Sequence, residues 1–195
     1  MRTEILDLIK RYLEEGKLQG PVLNVGAAGT EYEKAQGYNM RGIFSDRGIT
    51  EYNAVDIHKA EGIDYVVDFT KERLPGLPYR TILCTEMLEH CKDPYSLVRN
   101  CYRHLRDHGI IIVTVPDMYG VHCAQDYYRF TQNGLHMLCS QFENVESGDF
   151  GKEEKHDLEH YYVGRKIYVP TCNQTTSFGV VERNANEKRE QKVPE

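Results

Sequence analysis

The stretch Val22-Leu23-Asn24-Val25-Gly26-Ala27-Ala28-Gly29 decides the fold: an apolar strand breaks into four residues with no side chain larger than a methyl. Downstream, Ala54-Val55-Asp56-Ile57 reads as the tip of a second strand carrying a carboxylate. A strand, a tight small-residue turn and an acid at the end of the next strand form the minimal device for gripping a nucleoside. Small residues let the backbone approach the ligand, because a larger side chain would occupy its space. Asp56 at that tip is placed to accept hydrogen bonds from both ribose hydroxyls.

What is missing narrows the nucleoside. A dinucleotide fingerprint counted from Gly26 wants glycines at 28 and 31, where this chain has Ala28 and Glu31, and there is no GxxxxGK[ST] loop. Backbone amides and the macrodipole at a helix N-terminus welcome an anion, so Glu31 there argues against a pyrophosphate and tolerates a cationic ligand. S-adenosylmethionine fits these constraints: an adenine, a ribose, no phosphate and a sulfonium. A nicotinamide-dependent oxidoreductase is disfavoured by the same residue.

The bulk composition excludes other classes. A chain of 195 residues with 40% hydrophobic content, 16 glycines and 7 prolines is an ordinary globular domain. A net charge of −6 gives no broad phosphate-neutralising surface, so a nucleic-acid substrate is disfavoured. The longest apolar run, Ile110 to Val115, is far short of a membrane span, and Met1-Arg2-Thr3-Glu4 lacks the apolar block of a secretory signal. Six cysteines without a CxxC pair suit reduced thiols, so the expectation is a cytoplasmic protein without disulfides. A homodimer is compatible with these features.

Along the chain, Ile5, Leu8, Ile9, Tyr12 and Leu13 fall at helical spacing and predict a leader helix over 3–16. Residues 30–53 have weak periodicity and predict a short helix followed by irregular chain. Tyr65 to Asp68, Thr81 to Cys84 and Ile110 to Val115 predict buried strands. Between the last two, Asp93-Pro94 is a helix start, with a carboxylate cap and proline at the first helical position. Leu97, Val98, Cys101 and Leu105 then share one helical face, and Gly109 ends the helix. Strand, helix and strand in that order demand a parallel sheet with a right-handed crossover, and hence a doubly wound α/β fold. Thr131 predicts a cap for a helix that turns Leu135 and Leu138 inward. Phe142 to Val145 and Tyr161 to Val169 predict two closing strands, antiparallel at the edge. One domain over 1–170 is therefore expected, followed at 171–195 by a polar tail too poor in apolar residues to order.

The order of these features resembles the class I S-adenosylmethionine-dependent methyltransferases, in particular their type 11 branch, over about residues 20 to 168. The resemblance implies a Rossmann-like, mostly parallel seven-stranded sheet flanked by helices, with the last strand antiparallel. The family's first strand reads D/E-x-G-x-G-x-G; here the matching positions are Asn24, Gly26, Ala28 and Thr30, so one of three glycines remains. Ala28 and Thr30 are expected to narrow the space for the cofactor. Asp56 matches the ribose-binding acid. Val67-Asp68-Phe69 matches the segment whose carboxylate faces the adenine amino group. Thr85-Glu86-Met87-Leu88-Glu89-His90-Cys91-Lys92-Asp93-Pro94 resembles T-E-V-L-E-H-V-x-D-P, the most specific block in the chain. Val115-Pro116-Asp117 and Asp126-Tyr127-Tyr128-Arg129-Phe130-Thr131 resemble the branch's V-P and H-D-Y-W-R-F-T, with Gln125 where the histidine often stands and His122 three residues earlier.

These matches make Asn24, Gly26, Ala28, Asp56, Ile57, Asp68, Phe69, Thr85 and Glu86 cofactor-side residues. Asp126, Tyr127 and Arg129 become substrate-side residues, and His90 and His122 the available general bases for a hydroxyl acceptor. Each has a plainer reading: a loop carboxylate for Asp56, a helix cap for Asp68, a turn residue for His90, an exposed loop histidine for His122, and loop-ordering pairing with Asp126 or Glu86 for Arg129. His156 and His160 lie four apart, but Asp157, Glu159 and Lys155 around them read as a solvated charged segment, and two ligands without a third make no site, so no metal is expected. The expected activity is methyl transfer from S-adenosylmethionine to an oxygen or nitrogen of a small-molecule or saccharide acceptor. The alternative is a catalytically silent methyltransferase fold that binds the cofactor weakly or serves as a partner subunit.

Overall fold

The computed structural model describes residues 2–76, 78–152 and 157–168. Its elements run α1 (Thr3–Glu14), β1 (Val22–Val25), α2 (Thr30–Ala35), α3 (Met40–Ser45), β2 (Tyr52–Asp56), β3 (Tyr65–Val66), β4 (Tyr79–Thr85), a 3-10 turn (Leu88–His90), α4 (Pro94–His104), β5 (Leu105–Met118), α5 (Gln132–Leu138), β6 (Glu143–Lys152) and β7 (Asp157–Arg165). The polar tail expected at 171–195, and His156, lie outside the described residues. Among those residues no helix is long and apolar enough to cross a membrane.

The seven strands form one sheet in the order β3-β2-β1-β4-β5-β7-β6. β1 to β5 are parallel, whereas β7 runs antiparallel to both β5 and β6. The sheet is doubly wound. Because side chains alternate along a strand, each central strand feeds two cores. Leu23, Val25, Ile82, Cys84, Ile111 and Val113 pack with residues of α4 and α5. Val22, Ala54, Leu83, Ile110 and Ile112 pack with residues of α1 and α3 on the other face.

The helix caps form as their chemistry demands. The Asp93 carboxylate accepts from Ser96 N at 3.0 Å, with Pro94 opening α4. The Thr131 hydroxyl accepts from Gly134 N at 3.1 Å, and Leu135 and Leu138 are buried. Three expectations are corrected. The strand expected to be buried over Tyr65 to Asp68 is only Tyr65–Val66, at the sheet edge with Val66 exposed, because β2 is its single neighbour. Leu105 belongs to β5, not to α4, because α4 stops at His104 and Leu105 pairs across to Tyr79. Residues 30–53 hold two short helices and the start of β2 instead of irregular chain: Glu33 at 8% exposure accepts from Met40 N at 2.9 Å, a tertiary bond that periodicity cannot register.

Strand order reverses direction between β1 and β4. In an open α/β sheet the crevice beyond the carboxyl ends of the strands at such a switch point is where ligands bind. Here it is lined by the turns after β1, β2, β4 and β5.

Candidate active site

The β1 turn, where the nucleoside is expected, is closed by backbone and by one carboxylate. Gly26 N donates to Val55 O at 2.9 Å, and the Asp56 carboxylate accepts from Ala28 N at 3.1 Å and from His58 N at 2.8 Å. Both Asp56 oxygens are thus engaged, yet each keeps a lone pair, and Ile57 beside it is 57% exposed. Gly26 (φ 72°) and Ala28 (φ 55°) are both left-handed, so Ala28 carries the strain that a glycine would relieve. A Cβ on Gly26 would strike the Met87 side chain, which lies against its α-carbon. Asn24 is 5% exposed on β1, between Ala54 and Leu83.

Thr30 lines the space beside the β1 turn. Its hydroxyl lies against Gly62, a residue with φ 83° and no side chain, so the opposing backbone gives up the volume. Asp68 caps a turn rather than a helix. It accepts from Thr70 N and Oγ1 and pairs with Lys71 at 2.7 Å, and these contacts, Lys71 foremost, hold it below its ordinary value. The Phe69 side chain is in the core at 4% exposure, against His104, and its carbonyl accepts from Asn100. Thr85 ends β4 beside Thr114, and Glu86 (φ 52°) follows, accepting at Oε1 from Thr114 Oγ1 at 3.0 Å.

The long segment after β5, expected on the acceptor side, is folded around one ion pair. Arg129 Nη2 lies 2.7 Å from Asp126 Oδ2, and the same guanidinium donates to the carbonyls of Tyr119 and Gly120. The Asp126 side chain is fully buried, and Arg129 holds it well below the usual carboxylate range. Asp126 also accepts from His122 N and faces His122 Nδ1 at 3.0 Å. Asp126 and Arg129 are therefore spent on one another and on the loop, the plainer of their two readings. Tyr127 remains 44% exposed, with Tyr119 and Tyr128 also exposed nearby in the chain.

The knot brings His122 to His90: their Nε2 atoms are 3.3 Å apart and their rings meet edge to face at 5.0 Å. His90 Nδ1 lies 2.8 Å from Gln125 O. Thirty-two residues separate the two histidines in sequence, and the carboxyl ends of β4 and β5 unite them.

Beneath this pair lies a group of acids that the sequence reading passed over. Glu89 is fully buried with no partner for either carboxylate oxygen; burial first, and Glu86 next, push it well above the ordinary range. Glu159 on β7 is 3% exposed, and burial together with Glu86 pushes it up as well, although Arg2 Nε stands 3.6 Å away. Arg2 is already committed to Asp157 at 2.6 Å and to Glu4. His160 beside it is held between Asp149 at 2.6 Å and Asp117 at 3.0 Å. The solvated segment expected at 157–160 is therefore corrected: Glu159 and His160 pair with Pro116 and Val115 of β5 and are inside. Their charge suggested solvent; only the strand pairing reveals burial. For Glu89 a signal was present, since it stands within the quoted block from Thr85 to Pro94.

A concavity of about 300 Å³ lies between α4 and α5, away from the strand ends, and one of about 170 Å³ opens beside the β1 turn along Ala27, Thr30 and Tyr52. Strand topology and side-chain chemistry, more than volume, mark the site.

A family profile described as a methyltransferase domain matches residues 1–162, and the chain belongs to that family. The ubiquinone biosynthesis O-methyltransferase of Pseudomonas aeruginosa is 30% identical over 147 residues, 68% of this chain and 62% of that protein. The chain thus spans less than two thirds of that relative's length. Among solved structures, Burkholderia thailandensis 1,6-didemethyltoxoflavin-N1-methyltransferase, with its substrate and S-adenosylhomocysteine bound, superposes with a TM-score of 0.60 at 18% identity, covering 80% of this chain and 75% of its own. The [4+2]-cyclase SpnF gives the same TM-score at 14% identity, covering 84% and 81%. At such identities the likeness is one of fold.

Proposed function

We propose that this chain is an S-adenosylmethionine-dependent methyltransferase acting on a hydroxyl of a small-molecule acceptor, with residues up to about 170 as the catalytic unit. The family match carries the reading, together with the Asp56 carboxylate at the carboxyl end of β2 beside the strand-order switch. The O-methyltransferase relative favours oxygen over nitrogen as the atom methylated. When bound, S-adenosylmethionine supplies an electrophilic methyl on a good leaving group.

The residues fit its nucleoside end. Asp56 retains lone pairs for the ribose hydroxyls, and exposed Ile57 offers an apolar face to the base. At the methionine end, the unbranched Met87 side chain over Gly26 has the rotamer freedom to move aside. The acceptor-side residues orient the second reactant. Tyr127 and Tyr119 present aromatic surface, and a Nε2 lone pair of His90 or His122 takes the hydroxyl proton as the oxygen attacks. A cytoplasmic setting is part of this reading, supported by Cys84, Cys91, Cys101, Cys123 and Cys139 all being free thiols.

A second reading, a fold that binds without transferring, draws on left-handed Ala28, on Asn24 and Thr30 at the motif positions, and on the cyclase that shares the fold. Incubation with methyl-labelled cofactor and a panel of phenolic and aliphatic hydroxyl acceptors separates the two. Label transferred to at least one acceptor, and lost in a His90→Ala, His122→Ala double variant, is the expected result. Tight S-adenosylhomocysteine binding without transfer across the panel establishes the silent reading instead.

A further inference from the structure

We propose that His90, His122 and Cys123 form a binding site for a zinc-class divalent cation at the acceptor end of the cleft. Nitrogen and sulfur atoms of the three side chains all lie within 4.8 Å of one another. The polar neighbours of the two rings favour one tautomer of each. A carbonyl oxygen can only accept, so His90 Nδ1, at 2.8 Å from Gln125 O, carries the proton of that ring. His122 Nδ1 stands 3.0 Å from Asp126 Oδ2, and a carboxylate that close favours the proton on that nitrogen. In both neutral rings the lone pair is then at Nε2, and these two lone pairs face one another at 3.3 Å.

Two acceptors at that distance repel unless a cation stands between them. Two imidazole nitrogens bound at about 2.05 Å with a tetrahedral angle stand about 3.3 Å apart, which is the observed spacing. The surroundings are those of a built site. Asp126 behind His122 makes the carboxylate–histidine pair that fixes a ligating ring, and Asp126 is itself locked by Arg129. Cys123 adjoins His122; its Sγ rests 3.5 Å from His90 Nδ1, and rotation about its exposed side chain carries it to an ion at the Nε2 atoms. Glu89 Oε1, without a hydrogen-bond partner of its own, stands 3.6 Å from His90 Nε2 and adds an oxygen lone pair beside the same place.

The donor set selects the ion. Two imidazoles and a thiolate suit zinc and its borderline-soft neighbours, and exclude magnesium and calcium, which take oxygen ligands. Three protein ligands leave a fourth position open, the arrangement of zinc sites that accept water or a substrate atom. The site stands whether or not the chain transfers methyl groups, since it is argued from the ligand atoms alone. If it does, ion occupancy converts the two Nε2 atoms from proton acceptors into ligands.

The test is titration of the metal-stripped full chain with cobalt(II) and zinc(II), read by absorbance and calorimetry. One ion per chain is expected, with a thiolate-to-cobalt charge-transfer band that Cys123→Ser abolishes and a zinc affinity that falls at least tenfold in Cys123→Ser and in His122→Ala. Millimolar magnesium should not displace the ion. Both variants alter exposed side chains, so folding, checked by circular dichroism, does not confound the result. Absence of the thiolate band, unchanged zinc affinity in both variants, or displacement by magnesium overturns the proposal. A proton shared between the two histidines, in place of an ion, appears as no zinc binding at all.

Discussion

At Glu159 burial and charge oppose each other. Its neighbour Glu86 is also an acid, and its nearest cation, Arg2, is shared with Asp157 and Glu4. Its folded-state value is raised above the 4.5 of an ordinary glutamate. The folded protein therefore holds a proton that the unfolded chain releases as pH climbs past that value, so the stability present below it is progressively lost until Glu159 ionises in the folded state. Glu159→Gln keeps a neutral donor toward Glu86 and removes this linkage. Urea unfolding should show the variant about 1 to 3 kcal/mol more stable than wild type at pH 8, and nearly equal to it at pH 4.5. A wild-type pH slope in the variant would mean that Glu159 ionises normally, paired with Arg2. Ala28 illustrates the opposite bargain: its left-handed backbone costs roughly 1 kcal/mol, while its amide is held by Asp56.

At the scale of elements, the segment after β5 is long and exposed, and still adopts one shape. It buries few apolar side chains, and its order comes from the Arg129 guanidinium, which ties Asp126 to the carbonyls of Tyr119 and Gly120. Backbone bonds pin it further, with Tyr127 N donating to Glu89 O at 2.7 Å and Phe130 N to Pro116 O. Arg129→Ala leaves the buried Asp126 carboxylate without its counter-charge, and stability should fall by about 2 kcal/mol, with faster limited proteolysis between residues 119 and 129. Arg129→Lys should recover only part, because an ammonium cannot match the planar two-point fork. Cleavage at the wild-type rate in Arg129→Ala would assign the loop's order to its backbone bonds. The motif around Asp126 to Thr131 was readable in sequence as part of the substrate side, but its work as a loop clasp was visible only as one of two readings.

For the whole molecule, a ligand that binds the folded state alone must raise the melting temperature by mass action. S-adenosylhomocysteine at about 100 times its dissociation constant should stabilise the chain by about 2.7 kcal/mol, a rise of roughly 5 to 10 °C for a domain of this size. Asp56→Ala should remove most of that rise at the same ligand concentration while leaving a folded protein; a full wild-type shift would place the ribose elsewhere. The sequence by itself determined the doubly wound sheet, its caps and the tight turn after β1, because strand alternation, helix caps and small-residue turns are local chemistry written within a few residues. It also named residues that stand at the carboxyl ends of the strands, since the strand ends and the motif from Thr85 to Pro94 are contiguous. Only the tertiary structure decided what meets across the chain: His90 against His122 and Cys123, Glu159 and His160 drawn inside by β5, Thr30 accommodated by Gly62, and Phe69 committed to the core. Those depend on packing between segments 30 or more residues apart, where no periodicity reaches and where burial, not residue type, sets the chemistry.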